Sequence, residues 1–186
     1  MMRLLVLGLL MEMERHPYDI RQTIKERNWH LTFKLQDGSL YYAVDQLRDH
    51  GYIEAAEVIP VRGDNRPDKT VYRITEEGKR EFLELLHKQM EQTAFPQHPF
   101  FAAMPFLMHS DREVVKACLW GQYEACLSRI ELLRDVALKK EGLLPRGSVK
   151  LIEGMIRLSQ AEREWLEDVM AEAESGMLFQ PRPQGI

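Results

Sequence analysis

The apolar positions of "DGSLYYAVDQLRDHGYIE", residues 37–54, recur at Leu40, Ala43, Val44 and Leu47, which at about 100° per residue share one narrow face of a helix. Asp37 offers a carboxylate to the free N–H groups of the turn that begins at Gly38 or Ser39, and Gly51 stands where a left-handed cap ends such a helix. Tyr52 and Ile53 follow as the hydrophobic contact that accompanies this cap. Tyr41 then lies at the side of the helical wheel, and Tyr42 points away from the apolar face. An exposed ring can stack on its own domain, but two adjacent phenols on a short helix are better explained by contact with something outside it.

The same patterning organises the chain on either side. "MMRLLVLGLLMEME" predicts a buried first helix, because its apolar run is too short for a secretory signal, lacks a small-residue cleavage site and meets Glu12 and Glu14 at once. "HPYDIRQTIKERN" predicts a second helix with Pro17 in its first turn, Ile20 and Ile24 one turn apart, and an end near Asn28. "YIEAAEVIPV" and "TVYRIT" are strand-like runs separated by the turn formers of "RGDNRPDK", which predicts a hairpin with a polar tip. Thr75 can cap a further helix carrying Glu76 and Glu77 in its first turn and Phe82, Leu85, Leu86 and Met90 along one stripe. Three helices followed by strand, turn and strand is the order of a winged helix-turn-helix, whose third helix presents its N-terminal end to base edges.

Helical patterning breaks at 94–110, "AFPQHPFFAAMPFLMHS", which is expected to link a domain over 1–93 to a helical one over 111–176, with a loose tail over 177–186. In the second domain Val114, Cys118, Leu119, Leu127, Ile130 and Leu133 form one stripe, and Val149, Ile152, Met155, Ile156, Leu166, Val169 and Met170 another, joined at "EGLLPRGS". Stripes this wide exceed what a lone hairpin buries, so a second copy of the chain is expected to cover them. Leu119, Leu127, Ile130, Ile152, Ile156, Leu166 and Val169 are the expected dimer contacts. The fold class is therefore mainly α with a small β-hairpin: an N-terminal winged helix-turn-helix and a C-terminal helical dimerisation domain.

Composition changes this picture in few places. A net charge of -4 and a pI near 5.9 do not suit a whole-molecule polyanion binder, so any nucleic-acid surface must be local. Between residues 15 and 48, Arg15, Arg21, Lys25, Arg27, Lys34 and Arg48 outnumber Asp19, Glu26, Asp37 and Asp45, and at the hairpin tip Arg62, Arg66 and Lys69 outnumber Asp64 and Asp68. Such cations suit phosphate or minor-groove contact, and phenols can donate to phosphate or lie against thymine methyls. Asp45 and Asp49 oppose this unless a neighbouring arginine pairs with them.

Cys118 and Cys126 are eight positions apart in one predicted helix, too far to bridge within it, and are expected as buried packing residues in a reducing cytoplasm. No stretch approaches the roughly 18 consecutive apolar residues of a membrane span. The histidines are scattered, and the sequence holds no H-E-x-x-H, no paired C-x-x-C and no glycine-rich phosphate loop, so neither catalysis nor a metal or cofactor is expected. A winged-helix protein–protein interaction module is the alternative to a DNA binder.

"LLVLGLL", "HPYDI", "DGSLYYAVDQLRDHGYIE" and "RPDKTVYRITEEGKREF", in that order and spacing, resemble the PadR family of transcriptional regulators. The resemblance implies that Tyr18, after His16, touches phosphate, that Lys34, Ser39 and Tyr41 serve the recognition segment, and that Arg66 and Lys69 serve the wing. Two positions depart from the family pattern: Pro17 stands for the usual glycine, which bears on a backbone approach to phosphate, and Tyr42 for the usual proline, which bears on the bases read. The C-terminal half is similar to the longer members, which dimerise through a helical domain and in some cases sense phenolic acids or other small aromatic compounds. Implied partners are a near-palindromic double-stranded operator, a second copy of the chain and a small aromatic effector, the last contacting Phe100, Phe101, Phe106, Trp120 and Tyr123. These rings, with Phe95, also suit an ordinary interdomain core.

Overall fold

A computed structural model describes residues 1–29, 33, 37–60, 69–94 and 97–180, and divides the chain into two units, Met1–Ala94 and Phe95–Ile186. The first contains α1 (Met2–Glu12), α2 (Pro17–Glu26), α3 (Asp37–Asp49), β1 (Ile53–Ile59), β2 (Lys69–Ile74) and α4 (Glu76–Met90), in the order the patterning predicts. Its core joins Val6, Leu7, Leu9 and Leu10 of α1 to Ile20 and Ile24 of α2, and to Leu40, Ala43, Val44 and Leu47 of α3. Each large apolar side chain so buried stabilises the unit by about 1.5–3 kcal/mol before the entropy of ordering is subtracted.

Local chemistry fixes where these elements begin and end. Pro17 opens α2, Asn28 takes a left-handed φ of 55° just beyond it, and Gly51 takes a φ of 73° after α3. The hairpin pairs antiparallel from Ile53 with Ile74 to Ile59 with Lys69, and an irregularity between Ala55 and Glu57 bends β1. Arg15, between α1 and α2, exchanges both backbone hydrogen bonds with Tyr72 at 3.0 Å, which pins the wing to the helical core. Its guanidinium donates to Thr23 Oγ1 at 3.0 Å and to Glu12 at 3.1 Å. Arg27 clamps both oxygens of Glu12 at 2.6 Å and holds that carboxyl below its ordinary value, so the ends of α1 and α2 are tied together.

The second unit is an antiparallel hairpin of α5 (Arg112–Lys139) and α6 (Arg146–Ser175), with Lys116 paired to Glu174 at one end and Cys126 bonded to the Ser159 carbonyl further along. Asp111 caps α5 by accepting from the N–H groups of Glu113 at 2.9 Å and Val114 at 3.1 Å. Leu119, Ile130, Leu166 and Val169, expected as dimer contacts, are instead buried between the chain's own two helices, and only Leu127, Ile152 and Ile156 of that set remain partly exposed.

The packed face of α5 runs through Val115, Leu119, Cys126, Ile130, Leu133 and Val136, so Val114 and Cys118 point outward, contrary to the expected stripe. Cys126 is buried as expected, and burial pushes its thiol up from the ordinary value. The described part of 94–110 is no open linker: Pro99–Ala102 and Met104–His109 form 3₁₀ helices that bury Leu107 and pack Phe100 and Met104 on the second unit's core. The expected loose tail begins with another 3₁₀ turn, Met177–Phe179, whose Phe179 is buried beneath the Arg112 guanidinium 5.1 Å away.

Candidate nucleic-acid interface

The third helix carries the surface of interest. With Leu40, Ala43, Val44 and Leu47 turned inward, the same backbone leaves Tyr41 47% and Tyr42 65% exposed, beside a half-buried Ser39. Gln46, one turn after Tyr42, donates its side-chain N–H to the phenol oxygen at 2.8 Å. Asp45 and Asp49, which opposed a nucleic-acid surface in the sequence, are both held by Arg48, at 3.1 and 2.9 Å. The hydrogen bond to Asp49 foremost, then one to Tyr72, raises the Arg48 pKa above its ordinary value. One guanidinium thereby offsets one of their two negative charges on the helix itself.

At the start of α2 the backbone donors are already engaged. Pro17 has no N–H, the Tyr18 N–H donates to His16 Nδ1 at 3.1 Å, and the Asp19 and Ile20 N–H groups donate to the His16 carbonyl at 2.9 and 3.1 Å. A backbone grip on phosphate is therefore unavailable there, and the Tyr18 phenol is 57% exposed beside it. On the wing, Lys69 begins β2, is exposed and forms no ion pair with a described residue. Arg73 on the same strand is held by Glu54 at 2.8 Å.

The local charge surplus read from the sequence is smaller as free charge, since Arg15 and Arg27 are engaged by Glu12 and Arg48 by the two aspartates. Lys34 and Arg66 lie outside the described residues. Sequence reasoning missed His16 as the cap of α2 and Gln46 as the partner of Tyr42. The i,i+4 spacing of Tyr42 and Gln46 was the available signal for the latter.

Residues 6–84, α1 through most of α4, match the model of the transcriptional regulator PadR-like family. The chain carries a PadR-like domain. No curated protein sequence matches it. Among solved structures, the PadR-like transcriptional regulator BC1756 from Bacillus cereus is 27% identical, covers 92% of this chain and 94% of its own, and superposes with a TM-score of 0.70. Bacillus subtilis PadR in complex with operator DNA is 20% identical, with 92% and 98% covered and a TM-score of 0.72. The same protein in complex with p-coumaric acid gives 19%, 92%, 98% and 0.71. At those identities the likeness to the B. subtilis protein shows the fold, a PadR winged helix with a helical C-terminal region.

Beyond the PadR-like domain, the expected effector residues divide into separate groups. Trp120 and Tyr123 stand together with ring centroids 5.8 Å apart, and the Tyr123 hydroxyl donates to Glu167 at 3.0 Å. Phe101 instead meets His98 at 5.5 Å and Trp165 at 5.2 Å. Phe100 packs on the core, Phe106 is exposed, and no ring contact joins the two groups among the described residues. Among those residues, no helix is long and apolar enough to cross a membrane, and no cluster of side chains is arranged to hold a metal ion.

Proposed function

We propose that this PadR-like protein is a dimeric repressor that places one α3 in each of two major grooves of a near-palindromic operator, and that a small aromatic effector releases it. The observation that carries the reading is the pair of exposed phenols, Tyr41 and Tyr42, at the N-terminal end of a helix whose opposite face is the core of the domain. That is the end a winged helix-turn-helix directs to base edges. Tyr18, Ser39 and Lys69 would contact the backbone around it, with Lys34 and Arg66 completing the recognition segment and the wing.

Dimerisation is supported by apolar side chains that the α5–α6 hairpin leaves uncovered, among them Leu138, Leu143 and Leu158. A twofold dimer would present its two α3 helices about 34–36 Å apart to fit one turn of DNA. The effector reading draws on the complexes of the structurally similar B. subtilis protein with operator DNA and with p-coumaric acid, and on the exposed rings of the second unit. An effector favouring a dimer geometry unsuited to that spacing needs a coupling of only about 1–3 kcal/mol.

Two substitutions separate base reading from backbone anchoring. Tyr42→Ala is expected to change the order of preference among single-base variants of the site, whereas Lys69→Ala should weaken all of them alike and reduce the salt slope by about one. Fluorescence anisotropy titrations at several salt concentrations read both effects. Unchanged affinity and preference in Tyr42→Ala would remove the outward phenol from the account.

A further inference from the structure

The contact between Gln46 and Tyr42 bears on the direction of the phenol's hydrogen bonding in the DNA-binding role proposed above. We propose that Gln46 is a positioning residue: its amide N–H occupies a lone pair of the Tyr42 oxygen, so that Tyr42 meets DNA as a hydrogen-bond donor.

The 2.8 Å contact runs between side chains one turn apart on α3, where i,i+4 neighbours face each other. A phenol oxygen has one proton and two acceptor lone pairs. With one lone pair receiving the Gln46 N–H, the proton points away from the helix toward whatever the exposed ring touches. The neighbouring carboxylates that could otherwise draw that proton back, Asp45 and Asp49, are engaged by Arg48. An exposed tyrosine without such a partner would lose rotamer freedom on binding, a cost that the preformed pair reduces.

The outward proton selects acceptors: a phosphate oxygen, or in the major groove purine N7, guanine O6 or thymine O4. It disfavours the amino groups of cytosine N4 and adenine N6. Reversing the contact would reverse this selection. Glutamate at position 46 can only accept, so it would draw the phenol proton inward and leave an oxygen facing the DNA.

The test uses the full chain, a fragment of its own promoter region and single-base variants of the preferred site. Tyr42→Phe and Gln46→Met are each expected to weaken binding to the best site by about three- to tenfold, and the double variant no further than Tyr42→Phe alone. Gln46→Glu should show that same loss plus a uniform drop from its added charge, and only the uniform part should persist when Tyr42 is already phenylalanine. Losses confined to particular bases assign the acceptor to a base edge, and equal losses on every sequence assign it to phosphate; both support the role.

Wild-type behaviour of Gln46→Met beside a weakened Tyr42→Phe would overturn the positioning role while leaving the DNA reading intact, as would fully additive losses. No preferred site for the wild-type chain would overturn both. Thermal unfolding of each variant should match wild type, because the pair lies on the exposed face of α3.

Discussion

Gly78→Ala is expected to destabilise the N-terminal unit by about 3 kcal/mol, the upper range for forcing an extra carbon into a packed site. A Cβ at this position would stand 2.0 Å from the Tyr52 carbonyl oxygen and 2.8 Å from Ile74 Cγ1. The nearer obstacle is backbone, which cannot swing aside as a side chain can. The same carbonyl accepts the Thr75 N–H at 3.1 Å, and Thr75 Oγ1 in turn accepts the Gly78 N–H at 3.0 Å as the cap of α4. Moving the carbonyl therefore disturbs the cap as well as the contact.

Gly51, whose φ of 73° ends α3, stands immediately before Tyr52, so strain at Gly78 reaches the helix that presents the two phenols. Gly38→Ala is the control. Nothing lies within 4 Å of a Cβ there, and the substitution should be neutral or slightly stabilising through helix propensity. Denaturant unfolding followed by far-UV circular dichroism compares them, and equal stabilities would show that α4 does not seat on the Tyr52 turn.

In the second unit, Leu166→Ala is expected to lose about 2–5 kcal/mol, the range for truncating a fully buried leucine. Leu166 is wholly inaccessible within a single chain, against α5 and the buried Phe179. Leu158, on the same helix, is 69% exposed, and the proposed dimer would cover it. Leu158→Ala should leave the protomer's own stability within about 0.5 kcal/mol of wild type and weaken self-association. Unfolding at two protein concentrations distinguishes them, because association makes the midpoint depend on concentration, a dependence that Leu158→Ala should alter and Leu166→Ala should retain. A concentration-independent drop for Leu158→Ala of the size predicted for Leu166→Ala would place Leu158 in the core instead.

The N-terminal unit was legible in the sequence because each of its signals is local. Pro17, Thr75 and Gly51 mark helix boundaries by backbone chemistry, and Leu40, Ala43, Val44 and Leu47 admit only one helical face. In α5 the signal is ambiguous: Val114 stands beside Val115 and Cys118 beside Leu119, so spacing alone does not choose the phase. The choice is made by long-range packing against α6 and the 3₁₀ segments, which bury Val115, Leu119 and Cys126 together.

The prolines of 94–110 read as an interruption because they break α-helical spacing, yet Pro99 and Pro105 sit in the first turns of 3₁₀ helices, where a missing N–H costs nothing. The candidate interface was legible in its outward tyrosines. Its charge was not, because pairing of Arg15 and Arg27 with Glu12 depends on how α1 and α2 meet rather than on either segment alone.

On the proposed reading, an aromatic face of α3 binds one DNA site in preference to others. Its most direct test is competitive binding of the full chain to its own promoter region against unrelated DNA, at two salt concentrations. One site should be held at least about a thousandfold more tightly than bulk sequence, with affinity falling steeply as salt rises. Equal binding to every sequence, or none at either salt, would contradict it and leave the winged helix as a surface for protein partners.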